Sequence, residues 1–259
     1  MIKIVLFNNK FLKPAKAKIS IFSDAFARGY GVFETLKACG KKAIFPEEHI
    51  SRLLNSAKMI GLACRYNKKQ LLNQLSKIVR RSSNRHQRLK IIAIPEGIIF
   101  TSEKLKQANV THGIECVFIS RTRSIPEVKS ISCLPSFLSH KEAVEKGFFE
   151  AILTDKKGKV YEGAYSNLFW FEKNTLCTRE KDILPGIIRD KILRISPFKI
   201  KFKTITAKKL LQADEIFLTN SIFDIASVIK IGNQKIGDGK PEKNTMKIIK
   251  SYKNFSRNF

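Results

Sequence analysis

The sequence predicts a mixed α/β protein built as two successive units, each a set of strands with helices laid against it. Three observations predict it. Short runs such as "GVFETLKACG" alternate apolar and polar residues, the period of a strand with one buried face. Longer segments between them place apolar residues three and four apart, the period of a helix. The order of strand and helix recurs in both halves without an internal repeat or a low-complexity stretch.

In chain order, "MIKIVLFNNK" alternates like a strand, and "GVFETLKACGKKAIF" reads as two strands joined by a Gly-containing turn at Cys39 to Lys42. In "PEEHISRLLNSAKMIGL", Pro46 opens a helix and Glu47 and Glu48 occupy its first turn. Ile50, Leu53, Leu54 and Ala57 mark its apolar face, and Gly61 ends it. "NKKQLLNQLSKIVRR" is a second helix, "RLKIIAI" the strand after it, and "GIECVFIS" (Gly113 to Ser120) another strand. The polar "RTRSIPEVKS" that follows is the candidate linker. The chain accordingly divides into an N-terminal unit over 1–118, a linker over 119–126 and a C-terminal unit over 127–259.

In the second half, "LPSFLSHKEAVEKG" is a helix closed by Gly147, and "FEAILTDKKGKVYEGAYSNLFWF" is a hairpin with strands from Phe149 to Thr154 and from Lys159 onward. "LPGIIRDKILRI" is a turn leading into a helix. "DEIFLTNSIFDIASVIKI" is a strand, a polar break and a strand.

Composition narrows the function classes. The chain has 259 residues and a formal net charge of +27, which suits nucleic acid, acidic lipid or a small anionic ligand. The densest basic run, "KIVRRSSNRHQRLK" (Lys77 to Lys90), has no interleaved aromatics for stacking bases, so it reads as a solvated helix end and loop. A basic nucleic-acid-binding protein is the alternative from a different class. Five scattered cysteines without a CxxC argue against a disulfide framework or a zinc site, so no metal is expected and the setting expected is the cytoplasm. The N-terminus lacks a signal peptide's apolar region, and no apolar run reaches membrane-spanning length, so no membrane is expected.

Four local features bear on chemistry. Glu162 and Asn167 enter one of the most apolar segments, "VYEGAYSNLFWF", and a carboxylate there needs a charged or hydrogen-bonding partner. "LPGIIRDKIL" places Gly186 just before a helix, whose free N–H groups form a phosphate site, although a plain Pro-Gly turn reads the same way. Arg52 lies off the apolar face of its helix, where it is either a phosphate fork or a solvated arginine. "LTNS" (Leu218 to Ser221) offers hydroxyls and amides at a strand end, or is a simple loop.

Taken in order, "GVFETLK", "EEHISRLLNSA", "VKSISCLPSFLSHKEAVEKGFFEAIL", "GKVYEGAYSNLF" and "ILPGIIRDKIL" resemble the class IV family of pyridoxal-phosphate enzymes. That family comprises branched-chain and D-amino-acid aminotransferases and aminodeoxychorismate lyases. The resemblance implies the two-domain architecture of fold type IV, with a smaller N-terminal α/β domain, a larger C-terminal domain and pyridoxal 5'-phosphate between them. By position, Lys129 matches the lysine that forms the Schiff base with the cofactor. Glu162 matches the glutamate facing the pyridine nitrogen, and Arg52 the phosphate-binding arginine. Ile187 and Ile188 match the residues whose amides receive the phosphate, with Thr219, Asn220 and Ser221 on its other side. Glu162 then goes inward because its partner is the protonated ring, which acts as the electron sink.

Within the family, the form of "FLTNSIFDIASV" and Thr35 in "GVFETL" are closer to the lyase that releases pyruvate and 4-aminobenzoate in folate synthesis. A D-amino-acid or branched-chain transaminase is the alternative. The strand "IIAIPEGIIF" carries no arginine for a substrate carboxylate, so Arg28 and Lys37, with Thr35, are the expected substrate contacts. The resemblance also implies a homodimer acting on a small-molecule substrate.

Overall fold

A computed structural model describes residues 3–256, so the first two residues of the expected N-terminal strand and residues 257–259 lie outside it. Contacts divide the chain into two compact units, one of residues 3–107 with Val128–Ser132, the other of Ala108–Glu127 with residues 133–256.

The first unit contains β1 (Ile4–Phe7), β2 (Lys10–Leu12), α1 (Asp24–Ala27), β3 (Val32–Cys39), β4 (Lys42–Ala43), α2 (Pro46–Met59), α3 (Lys68–Arg81), β5 (His86–Ile94) and β6 (Gly97–Lys104). Its six strands form one sheet in the order β2-β1-β6-β5-β3-β4. The alternation predicted for β3 is present: Val32, Glu34, Leu36 and Ala38 are buried while the residues between them are partly exposed. Helices α2 and α3 cover the inward face through Ile50, Leu53, Leu71, Leu75 and Ile78. Asn67 and Gln70 start α3 with a reciprocal capping box, which satisfies two backbone N–H groups. The run read as a single strand after "NRHQRLK" is a hairpin: Pro95 and Glu96 form the turn, and β5 and β6 pair antiparallel from Gln87↔Lys104 to Ile94↔Gly97.

The second unit contains β7 (Ile114–Ser120), α4 (Leu134–Glu145), β8 (Glu150–Thr154), β9 (Val160–Gly163), β10 (Asn167–Glu172), β11 (Thr175–Thr178), α5 (Ile187–Ile195), β12 (Lys199–Phe202), α6 (Ala207–Leu210), β13 (Glu215–Asn220), β14 (Asp224–Ile231), β15 (Gln234–Lys235) and α7 (Lys243–Ser256). Its nine-stranded sheet runs β12-β11-β10-β13-β14-β7-β8-β9, with β15 beside β14. The second strand of the expected hairpin breaks at Ala164–Ser166. β9 stays beside β8, whereas β10 crosses to pair with β11 and β13. Because β10 and β13 are central and covered on both faces, they are buried without alternation. Leu168, Trp170, Ile216 and Leu218 face one cluster, and Phe169 stacks on Phe217 at 4.9 Å on the other side.

The expected boundary at 118 and linker over 119–126 do not coincide with this division. β7 pairs with β8 and β14, and Arg121 and Arg123 bind Glu142 and Glu162 of the same unit. The segment grouped with the first unit is Val128–Ser132.

Candidate active site

Glu34 occupies an inward position of β3 and is fully buried against α2. Arg52 donates to it from Nε at 2.7 Å and from Nη2 at 2.8 Å, and His49 Nδ1 lies 2.7 Å from its Oε2. Burial alone would raise the Glu34 carboxyl, but the Arg52 charge and the bonds from Arg52 and His49 outweigh it and hold it at about 2. Burial pushes His49 below its usual range, with Glu34 opposing and the charges of Arg52 and Lys129 adding to the fall. A carboxylate has no proton to give, so the neutral ring donates from Nδ1. Arg52 is thus no solvated arginine, since its side chain is only 10% exposed. A phosphate would meet the edge of its guanidinium away from the Glu34 fork.

The start of β3 positions Lys129. Phe33 N donates to Lys129 O at 2.8 Å, Ile131 N to Gly31 O at 3.0 Å, and Val32 bridges Ser130. This close approach needs the glycines of "FARGYG". A Cβ at Gly31 would come within 2.7 Å of Ala93 O, and Gly29 has φ +65 beside Ser132. Lys129 Nζ lies 4.9 Å from the centroid of the Phe33 ring. Phe33, Thr35 and Lys37 share the outward face of β3, opposite Ile92, Lys90 and Arg88 of β5. The third expected substrate contact is elsewhere: Arg28 follows α1, is paired with Asp24, and has its side chain 75% exposed.

In the second unit, Glu162 on β9 is 3% exposed and accepts from Arg123 Nη1 at 2.8 Å, Asn167 Nδ2 at 3.2 Å and Leu184 N at 3.0 Å. The protein itself therefore supplies a cation for Glu162, which the sequence reading left to the cofactor alone. Asn167 Nδ2 also donates to Leu184 O at 2.8 Å, tying β10 to the segment that leads into α5. Gly186, the N-cap of α5, has no alternative, because a Cβ there would lie 1.8 Å from Asn167 Oδ1.

Ile187 and Ile188 open α5 with no side-chain cap, so their N–H groups face outward from the helix start. Thr219 pairs in register with Asn167, and its buried Oγ1 has no hydrogen-bond partner among the described residues. Ser221 follows β13 in the turn to β14. The Asn220 side chain shapes that turn, its Oδ1 accepting from Ile222 N and Phe223 N and its Nδ2 donating to Tyr165 O. Arg189, in the first turn of α5, is buried and donates to Arg179 O at 2.6 Å, while its Nε has no partner among the described residues. Burial pulls Arg189 below the usual arginine range against the opposing charges of Asp190 and Glu162. An uncapped helix start, a glycine that admits close approach and two orphaned buried donors suit a phosphate group. No metal-ligand cluster occurs among the described residues.

Glu34, His49, Arg123 and Arg189 escaped the sequence analysis as site residues. Glu34 did leave a signal, as a carboxylate in phase with the buried positions of β3.

The family described as amino-transferase class IV matches residues 31–231, and the chain belongs to that family. It is 27% identical over 259 residues to a D-alanine aminotransferase of Bacillus licheniformis, covering 92% of this chain and 91% of the relative. It is 27% identical over 267 residues to a probable branched-chain-amino-acid aminotransferase of Aquifex aeolicus, covering 90% and 86%. The T.th. branched-chain amino acid aminotransferase, solved with pyridoxamine 5'-phosphate, superposes with a TM-score of 0.90 at 25% identity, over 97% of this chain and 93% of that one.

Proposed function

We propose that this protein is an amino-acid transaminase that uses pyridoxal 5'-phosphate and takes a D-amino acid or a branched-chain amino acid as donor. The match to relatives named for those two activities over about nine-tenths of the chain carries the reading. It favours this reading over the lyase expectation, which rested on the form of "FLTNSIFDIASV" and on Thr35 in "GVFETL". When bound, the cofactor supplies an aldehyde for amino groups and a ring that accepts the electron pair left as the substrate carbon loses its proton.

The roles of the protein's residues follow from their chemistry. Lys129 holds the cofactor and, once released, carries the proton to and from the substrate carbon; the ring of Phe33 limits where its ammonium can lie. Glu162 faces the pyridine nitrogen, with Asn167 and Leu184 N fixing its Oε2. The amides of Ile187 and Ile188, with Ser221, Asn220 through its backbone, and Arg52, take the phosphate. Thr35 and Lys37 contact the substrate from the Phe33 side of β3, and Arg28 contributes only by leaving Asp24.

The working form is a homodimer. Ile21, Phe22 and Phe26 stand 68%, 90% and 65% exposed within a few residues of each other, an apolar patch of the kind that a second copy covers. Among the described residues no helix is long and apolar enough to cross a membrane.

The test is single-turnover spectroscopy of the yellow, cofactor-loaded protein. A transaminase bleaches with its amino-acid donor and regains colour with a keto acid. D-alanine, D-glutamate, leucine and valine separate the two donor classes. Failure with every amino acid, together with pyruvate release from aminodeoxychorismate when no keto acid is present, would restore the lyase.

A further inference from the structure

Glu162 lies in a pocket of donors, and one of them carries a full charge. Arg123 Nη1 donates to Glu162 Oε1 at 2.8 Å, with the Arg123 side chain 17% exposed and that of Glu162 5% exposed. An ion pair this deep gains little stability over an apolar pair of the same size, because both groups must shed water. Arg123 also stands on no regular element. It follows β7 in an irregular segment, flanked by exposed Thr122 and Ser124, and is six residues ahead of Lys129 in the chain. Arg121, two residues before it, is held by Glu142 at 2.8 Å, so the segment is pinned on both sides of Thr122.

From this geometry we infer that Arg123 is a positioning residue that acts through Glu162 and sets how strongly the carboxylate holds a proton on the cofactor ring. The inference rests on the assignment of Glu162 to the ring nitrogen and of Lys129 to the cofactor aldehyde. A carboxylate facing one cation binds the next less tightly, since each competes for the same charge at low dielectric. Arg123 therefore weakens the grip of Glu162 on the ring proton. It also keeps Glu162 ionised and fixed in orientation before any ligand arrives, as the guanidinium, the Asn167 amide and Leu184 N all donate and none accepts. Because the ring is conjugated with the group bound to Lys129, a change in the ring proton is read in the acid–base midpoint of the yellow colour.

The experiment is a spectrophotometric pH titration of the cofactor-loaded protein, without substrate, for wild type, Arg123→Met and Arg123→Lys. Arg123→Met should move the midpoint by roughly one pH unit, the size expected when one nearby buried cation is lost. Arg123→Lys, which keeps the charge and not the fork, should stay near wild type. An unmoved midpoint in Arg123→Met overturns the inference, as does an equal shift in Arg123→Lys. Wild type without the yellow band would instead overturn the assignment of Lys129. Should Arg123→Met fail to fold, the same comparison is made in a Glu162→Gln background, where no buried carboxylate is left unpaired. There, removing Arg123 should shift the midpoint far less than one unit, and a full shift would show that Arg123 does not act through Glu162. Thermal melts of the cofactor-free proteins give a second readout. Arg123→Met should lower the melting temperature in the Glu162 background and much less in the Glu162→Gln background, and equal losses would overturn the pairing.

Discussion

The guanidinium of Arg52 grips the carboxylate of Glu34 with two nitrogens, Nε at 2.7 Å and Nη2 at 2.8 Å, where Glu34 has no exposed surface. The pair joins β3, which positions Lys129, to the helix that carries the arginine proposed to take the phosphate. Glu34→Gln leaves a buried arginine without its anion, and breaking such a pair costs about 3–5 kcal/mol. Urea unfolding should show that loss; a midpoint equal to wild type would remove Glu34 from the account.

The same pair sets an acid limit. Glu34 has its folded value depressed from 4.5 to about 2, so its contribution is complete above about pH 4.5 and is lost as pH falls toward 2. A shift of that size is worth roughly 3 kcal/mol. Stability of the wild type measured across this window should fall more steeply than that of Glu34→Gln.

His49 acts at higher pH. Its folded value lies below 6.5 because burial disfavours the imidazolium. Below pH 6.5 the unfolded chain therefore takes up a proton that folded His49 refuses, and folding weakens as pH falls. His49→Gln keeps an N–H donor for Glu34 and should flatten this dependence. Parallel pH curves for the two proteins would contradict it.

Gly186→Ala tests the start of α5. The new methyl would lie 1.8 Å from Asn167 Oδ1, so Asn167 must move and loosen its bonds to Glu162 and Leu184. Stability should drop by about 1–3 kcal/mol. Retention of cofactor in equilibrium dialysis should fall with it, while Gly158→Ala, with nothing within 4 Å of its Cβ and φ +76 in a turn, should affect folding alone.

Glu162→Gln should leave the cofactor bound, since the phosphate contacts lie elsewhere, but slow proton removal from the substrate by roughly 100-fold. Stopped-flow bleaching by the amino-acid donor measures this step. Unaltered turnover would sink the assignment of Glu162.

What was legible in the sequence was what local chemistry decides. Helices α2, α4 and α5 were marked by Pro46, by Gly147 and by Gly186, each acting within a turn of itself. The break between β9 and β10 was hidden because the run from Val160 to Phe171 is almost wholly buried and carries no strong breaker, and nothing local says that β10 pairs with β13. Likewise "PEEHISRLLNSA" shows a helix face but not that Arg52 turns to Glu34, because that depends on β3 lying beneath α2. Arg123 was passed over for the same reason. In a polar segment it reads as solvated, and only the fold brings β9 beneath it.

Val128–Ser132 closes the strand edge beside β3, yet it is made long after β3. Roughly 100 residues separate Phe33 from Lys129, which at 5–20 residues per second is on the order of 5–20 s of translation. During that interval the N–H of Phe33 must wait for its acceptor with the helices of its own unit already synthesised. The lysine proposed to hold the cofactor is thus among the last pieces to join the sheet that holds it, and a fragment ending at Gln107 would contain that sheet without Lys129.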